Sequence, residues 1–180
     1  MPDPAEDPVA SRPATRLIVC LGNELVADDA VGYEIYERLR RQPLPPDTQV
    51  EYAAVGGLWL LDRLTGAEQR LILVDAVMLG APVGTVHSLA WNELPPLPAG
   101  AVLSAHAVGL RETVQIGRVL YPERLPADIR FVGVEGRCFD RTREWMSPEV
   151  CQAIDGAIAE VRRQLDADPP RSEHGPGQAH

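Results

Sequence analysis

The chain has 180 residues, 45% hydrophobic and 24% charged, a composition typical of a globular protein with one sizeable core. Its formal net charge of −9 and pI of about 4.9 argue against a nucleic-acid partner, because binding to a phosphate backbone needs a basic surface. Three widely spaced cysteines fit no disulfide framework, and the longest apolar stretch is too short to span a bilayer, so we expect a cytoplasmic protein without a membrane anchor.

Both ends of the chain differ in composition from its centre. Residues 1–15 are rich in proline, aspartate and alanine and contain no apolar core of a secretory signal, so we expect a disordered lead. Residues 166–180 are polar and proline-rich, and we expect a disordered tail there. Residues 16–165 are predicted to form a single domain.

Between these ends, the apolar pattern predicts alternating strands and helices. The predicted strands are residues 16–21, 49–54, 70–75, 84–91 and 129–134, of which 84–91 has the weak pattern of an edge strand. The predicted helices are residues 29–41, 58–64, 106–120 and 147–165. This order predicts an α/β fold, a three-layer α/β/α sandwich in which helices flank a twisted, mixed or mostly parallel sheet of about five strands.

A loop with two adjacent carboxylates joins the first strand to the first helix. Residues 22–32 read GNELVADDAVG, with Asp28 and Asp29 at the start of the helix. Neighbours in a helix point about 100° apart, so these two carboxylates cannot face each other. We interpret Asp28 as a cap or structural acid. Asp29 then points to the carboxyl edge of the sheet, where ligands of parallel α/β proteins bind.

Three candidate site residues reach this edge from separate elements. Asp29 follows the first strand, Asp75 ends the third, and His106 opens the helix after a proline-rich loop. Each alone has a structural interpretation as a capping group or a core histidine. Together they offer oxygen and nitrogen ligands that suit nickel or zinc, and a cation would relieve the repulsion between the carboxylates. Glu135 and Asp140, near the same edge, are weaker candidates.

Other catalytic arrangements fit the sequence poorly. It contains neither the Gly-x-Ser-x-Gly motif of a serine hydrolase nor the Gly-x-Gly-x-x-Gly fingerprint of a dinucleotide site. Cys20 lies within a predicted buried strand, and no neighbour of Cys138 would activate its thiol. A cysteine nucleophile is therefore a poor hypothesis.

The motif at residues 22–32 resembles the opening motif of the NiFe-hydrogenase maturation endopeptidases. Further matches follow in the same order over residues 16–165: Gly56-Gly57, Val74-Asp75-Ala76, Ser104-x-His106-x-x-Gly109-Leu110 and Val132-Gly133-Val134. The first motif is fairly specific, whereas the others are short and gain weight from their order and spacing.

The resemblance implies an endopeptidase that removes the C-terminal extension from the precursor of a hydrogenase large subunit. The family's three metal-contacting residues correspond to Asp29, Asp75 and His106. Nickel would arrive bound to the precursor rather than as a permanent cofactor, and cleavage would follow its insertion. With no credible nucleophile, we expect an aspartic-type mechanism in which Asp29 or Asp75 positions or deprotonates a water molecule.

Two departures from the family and two alternative functions bear on this prediction. Many members have an acid before the Gly-Gly turn, where this chain reads Ala54-Val55, and residues 135–146 are rich in arginine (Arg137, Arg141 and Arg143). Both features bring the identity of the precursor into question. The alternatives are a non-catalytic nickel-binding chaperone and a hydrolase similar to peptidyl-tRNA hydrolase. The acidic charge and the absence of a histidine soon after Asn23 argue against the second.

Overall fold

The computed structural model describes residues 14–54, 57–94, 107–142 and 145–167. The strands are β1 (Arg16–Leu21), β2 (Thr48–Ala53), β3 (Arg70–Val77), β4 (Val86–Ala90) and β5 (Asp128–Glu135). The helices are α1 (Val31–Leu39), α2 (Trp59–Arg63), α3 (Ala107–Leu120) and α4 (Pro148–Asp166). Short 3-10 turns occupy Asp28–Ala30 and Trp91–Glu93.

The strands form one sheet in the order β2-β1-β3-β5-β4. The first four strands of this order are parallel, and β4 pairs antiparallel with β5 at one edge. The predicted mixed sheet, with an edge strand formed within residues 84–91, is therefore confirmed. The chain leaves β1 in one direction to reach β2 and returns past β1 to reach β3, so the connections change direction between β1 and β3.

Alternate residues of the central strands pack in two hydrophobic cores, one on each face of the sheet. Ile18 and Ile72 belong to the core under α1 and α4, whereas Val19 and Leu73 belong to the core under α2 and α3. This alternation follows from the two-residue period of a strand. Since both faces are covered, the strands are apolar on both sides, and the predicted three-layer α/β/α sandwich is confirmed.

The element boundaries around Asp75 and Asp29 differ from the predictions by two residues each. β3 continues through Val77, which pairs with Glu135 of β5, so Asp75 lies inside the strand rather than at its end. The helix predicted from residue 29 instead begins as the 3-10 turn, and α1 starts at Val31. Pairing with β5 extends β3 beyond what the apolar run alone indicates.

A buried arginine fixes α4 at the opposite edge of the sheet. Arg70 Nε lies 2.6 Å from Asp128 Oδ2, and both side chains are about 5% exposed. The same guanidinium donates to the carbonyl oxygens of Gln164, Leu165 and Ala167, where α4 ends. It thus satisfies carbonyl groups that have no partner inside the helix and places a positive charge at the negative end of the helix dipole.

Glycines allow the chain to fold back tightly on the end of β1. Gly22 has φ +132°, and a Cβ atom there would lie 2.1 Å from the carbonyl oxygen of Asp29. A Cβ atom on Gly32 would lie 1.8 Å from the carbonyl oxygen of Leu21. Backbone therefore packs directly on backbone, and this contact brings the 3-10 turn of Asp28–Ala30 against β3.

The buried carboxylate of Asp28 joins two loops that are distant in sequence. Its oxygens accept hydrogen bonds from the backbone N–H groups of Arg137 (2.9 Å), Cys138 (3.0 Å) and Ser147 (2.6 Å), and from Ser147 Oγ (2.9 Å). Asp28 is fully buried, so these donors replace its lost hydration. Asp28 is therefore a structural acid, as the sequence suggested, although it caps no turn of its own helix.

Ser147, the residue before α4, does not cap that helix with its side chain. The helix does begin at Pro148, but Ser147 makes no side-chain capping bond to it. Its hydroxyl donates to Asp28 instead and accepts from Arg137 Nε at 3.1 Å. Ser147 thus binds the loop after β5 to the turn before α1.

No helix within the described ranges is long and apolar enough to cross a bilayer.

We expect Gly32→Ala to destabilise the fold. Its methyl group would meet the main chain of Leu21, which cannot rotate away, and overpacking of this kind costs about 1–3 kcal/mol or more. Gly156→Ala is the control, because Gly156 lies in the middle of α4 with only an ordinary contact at 3.8 Å. That change should stabilise the protein by about 0.5–1 kcal/mol. Thermal unfolding measures both, and an unchanged melting temperature for Gly32→Ala would contradict the packing described.

We expect Asp28→Ala to lower the free energy of unfolding by about 3 kcal/mol or more, because it leaves one buried and two partly buried N–H groups without their acceptor. Asp28→Asn should fall between alanine and wild type, since an amide keeps one acceptor oxygen. Asp155→Ala is the matched control, because its carboxylate is 87% exposed in a surface ion pair with Arg38. Equal urea midpoints for Asp28→Ala and Asp155→Ala would contradict the role of Asp28 in joining the two loops.

Candidate active site

The candidate site lies in the crevice between the carboxyl ends of β1 and β3. The chain order reverses here, since β2 lies on one side of β1 and β3 on the other. The crossover helix α1 packs on one face of the sheet, and α2 packs on the other. The loops above the two strands therefore part, and crevices at such positions bind ligands in open α/β sheets.

Asp29 is held above the end of β1. Asn23 N donates to Asp29 Oδ2 at 2.8 Å, and the carboxyl carbon lies 3.9 Å from the position of a Cβ atom on Gly22. The residue is 4% exposed. The 3-10 turn that carries Asp29 packs against β3, the strand that contains Asp75.

Asp75 comes from the centre of the sheet and is completely buried. Its neighbours Val74 and Ala76 belong to the core under α1 and α4, so alternation directs Asp75 to the face of α2 and α3. Ala76 N donates to Asp75 Oδ1 at 2.8 Å. The residue lies one position beyond the last paired residues of β1 and β3, Cys20 and Val74. Asp75 thus lies just beyond the end of the β1–β3 pairing, in the strand against which the turn of Asp29 packs.

The thiol of Cys20 is not a nucleophile in this arrangement. The side chain is fully buried in the core under α1 and α4. Burial raises the pKa of Cys20, and the negative charge of Asp75 raises that pKa further. The thiol therefore stays protonated at neutral pH, in agreement with its interpretation as a core residue.

His106, the third predicted site residue, lies outside the described residues. The helix that follows it does not: α3 begins at Ala107, and its residues Leu110 and Val114 pack in the core on the face to which Asp75 is directed. Within the described ranges, no group of three or more His, Cys, Asp or Glu side chains is placed to hold a metal ion. The metal site formed by Asp29, Asp75 and His106 therefore stays a prediction.

The two weaker candidates have other environments. Glu135 is 2% exposed; its Oε1 accepts from Leu79 N and Gly80 N, both at 2.8 Å, and its Oε2 lies 2.8 Å from His87 Nε2. These contacts assign Glu135 to holding the turn after β3 and the edge strand. Asp140 is exposed, and its Oδ1 lies 3.8 Å from Cys138 Sγ.

A cavity beside the Asp29 loop was not predicted from the sequence. It has a volume of about 360 Å³ and is lined by Ala27, Cys138, Arg141, Thr142 and Trp145. Ala27 N donates to the carbonyl oxygen of Arg141 at 3.1 Å, so the cavity lies where the loop after β5 meets the loop after β1. The signal available in the sequence was a tryptophan inside an arginine-rich loop, where a large apolar side chain has no core to enter.

Exposed apolar side chains surround the same edge of the sheet. Leu25 is 64% exposed, Leu58 62%, Met78 38% and Trp145 63%, and they follow β1, β2, β3 and β5 respectively. We call these four residues the apolar rim. Each parallel strand is thus followed by one member of the rim.

Comparisons with known proteins agree on one family. The sequence model of the hydrogenase maturation protease family (HycI) matches residues 33–164. The hydrogenase 2 maturation protease of Escherichia coli K12 is 30% identical over 152 residues, which cover 83% of this chain and 89% of that protein. The hydrogenase expression/formation protein HupD of Rhodobacter capsulatus is 28% identical over 159 residues, covering 88% of this chain and 74% of HupD.

Solved structures with the same fold lead to the same family. The hydrogenase maturating endopeptidase HybD from E. coli superposes with a TM-score of 0.71 and 26% identity, covering 83% of this chain and 91% of HybD. HybD from Thermococcus kodakarensis has a TM-score of 0.69 at 24% identity and covers 84% of this chain. With a family model matched over most of its length and relatives of this coverage, the chain belongs to the hydrogenase maturation protease family and is an endopeptidase.

Proposed function

We propose that this endopeptidase removes the C-terminal extension from the precursor of a NiFe-hydrogenase large subunit after nickel has been inserted. Asp29, Asp75 and His106 complete the coordination of the nickel ion that the precursor carries. The observation that supports this proposal is a pair of buried carboxylates near the boundary of β1 and β3: Asp29, 4% exposed, in the turn that packs on β3, and Asp75, 0% exposed, one position past the last β1–β3 pair. Membership of the maturation protease family supplies the substrate class.

The electrostatics of the crevice support recognition of a cation. Two carboxylates in a site of low dielectric constant repel each other when both are charged, and burial removes the water that would screen them. A bound cation relieves this repulsion. A precursor that carries a divalent metal is therefore bound more strongly than one without it, and the site tests for the metal before cleavage.

The same carboxylates supply the base for hydrolysis. Within the described ranges the thiol of Cys20 is buried and protonated, and no Ser-His pair takes its place. One of Asp29 and Asp75 therefore accepts a proton from the attacking water molecule as the peptide bond is cut. Nickel acts as the recognition anchor, and as a Lewis acid it would polarise groups near the scissile bond.

The apolar rim supports a protein as substrate. Binding of a metal ion or a small metal complex needs no apolar surface. A folded precursor, in contrast, docks by burying exposed apolar side chains around the reaction site. The cavity of about 360 Å³ at Trp145 offers space for one side chain of the precursor beside the Asp29 loop. The rim therefore binds the precursor, while the carboxylates in the crevice bind the metal that the precursor carries.

We expect Asp29→Asn and Asp75→Asn each to reduce processing of nickel-loaded precursor at least about 100-fold, since each removes a charge that the metal and the water require. Asp155→Asn, a change of the same chemistry at a residue with an exposed side chain, should leave the rate unchanged. The readout is the shortened large subunit on a denaturing gel. Cleavage of nickel-loaded precursor at the wild-type rate by either crevice variant would overturn the proposed role.

Nickel-free precursor is the second arm of this experiment and separates the endopeptidase from the nickel chaperone. We expect cleavage of the nickel-loaded precursor alone. The chaperone hypothesis instead predicts that the isolated protein binds nickel tightly in a calorimetric titration and shortens neither precursor. Equal cleavage of both precursors would show a protease that does not sense the metal.

We expect Trp145→Ala to raise the KM for precursor about fivefold to tenfold with little change in kcat, because it removes a large apolar contact outside the reacting groups. Val119→Ala is the matched control: Val119 is 78% exposed on α3, away from the rim. Steady-state processing of full-length precursor measures both constants. An unchanged KM for Trp145→Ala, or an equal rise for Val119→Ala, would exclude the rim as the docking surface.

A further inference from the structure

Tyr52 of β2 extends its side chain across the end of β1. The residue pairs with Cys20 in the parallel ladder, one position before β1 ends. Its hydroxyl donates to the carbonyl oxygen of Gly22 at 2.9 Å and accepts a hydrogen bond from Glu24 N at 3.3 Å. One side chain thus binds the main chain on both sides of Asn23.

Asn23 is the residue that holds Asp29. Its backbone N–H donates to Asp29 Oδ2 at 2.8 Å, and its side-chain oxygen accepts from Leu25 N at 2.9 Å. The peptide groups that fix Asn23 are those of Gly22 and Glu24, the two that Tyr52 contacts. Hydrogen bonds therefore connect the Tyr52 hydroxyl to the Asp29 carboxylate through the main chain at a single residue, Asn23.

The position of the hydroxyl is itself fixed by neighbouring rings. The Tyr52 ring meets Tyr33 edge to face, with centroids 5.2 Å apart, and lies 5.8 Å from the ring of Tyr36. Both partners belong to α1, the helix that follows Asp29. Burial raises the pKa of Tyr52, and the charges of Glu24 and Asp29 raise it further. The hydroxyl consequently keeps its proton and donates to Gly22.

We propose that Tyr52 is a positioning residue for the reaction, which holds the loop of residues 22–24 so that the Asn23 N–H group fixes the Asp29 carboxylate in the crevice. This role rests on the proposed function, because it acts through Asp29. It is also specific to the hydroxyl: the ring packs on tyrosines of α1, whereas the oxygen makes the hydrogen bonds to the loop. Phenylalanine at position 52 would keep the ring packing and lose both hydrogen bonds to the loop.

The test is the processing of nickel-loaded precursor by Tyr52→Phe. Loss of a hydrogen bond of this kind costs a factor of about 5 to 10, and we expect that fall in kcat with a KM within twofold of wild type. A merely structural role would change kcat and KM together or neither. Tyr36→Phe is the matched control, since Tyr36 shares the ring cluster but its hydroxyl makes no hydrogen bond to any described residue. It should process at the wild-type rate.

Amide hydrogen exchange of residues 22–29 supplies a readout that does not depend on activity. We expect exchange at Asn23 and Glu24 to accelerate about tenfold in Tyr52→Phe and to stay unchanged in Tyr36→Phe, with the rest of β1 protected in both. Unchanged exchange in Tyr52→Phe would overturn the positioning role of Tyr52, even if processing were slowed.

The outcomes separate this inference from the proposed function. An inactive Asp29→Asn beside a Tyr52→Phe of wild-type kcat would overturn the positioning role and leave the proposed function intact. Asp29→Asn of wild-type activity would overturn the proposed function, and the positioning role with it. A tenfold fall in kcat for both tyrosine variants would show a general effect of the ring cluster and would also overturn the specific role of Tyr52.

Discussion

The arrangement of the loops around the candidate site depends on one buried side chain, that of Asp28. It lies without exposure to water between the loop before α1 and the loop before α4, and it accepts four hydrogen bonds from Arg137, Cys138 and Ser147. A buried carboxylate is tolerated only when such donors replace its hydration, so the two loops cannot separate without exposing it or leaving it unsatisfied. Asp29 is the next residue in the chain. The structural acid therefore determines where the proposed functional acid lies.

Part of this site followed from the sequence because it depends on local patterns. Continuous apolar runs revealed β1 and β3 as strands buried on both faces, and polar residues at their ends selected Asp29 and Asp75. The family motif supported the same two residues. These signals are local in the chain, so they survive without knowledge of the strand order.

The rest depends on contacts between distant segments. The hydrogen bonds that Ser147 donates to Asp28 span 119 residues, and the one that Tyr52 donates to Gly22 spans 30. Neither pair has a sequence pattern, since a tyrosine in a strand is an ordinary core residue and a serine before a helix is an ordinary cap. The extension of β3 to Val77 was missed for a similar reason: the pairing with β5, rather than the hydropathy of the strand, sets its end. The strand order that forms the crevice was likewise not readable from the sequence.

The ion pair of Arg70 with Asp128 has a consequence for protein engineering. It anchors the last turn of α4 at the amino edge of the sheet, whereas the loops of the site all lie at the carboxyl edge. Arg70 thus holds the framework at the amino edge, whereas Asp28 and its partners hold the loops at the carboxyl edge. If the apolar rim binds the precursor as proposed, exchanging its loops with those of relatives is the way to redirect the enzyme, with Asp28 and its three partner residues retained as the fixed frame for each graft.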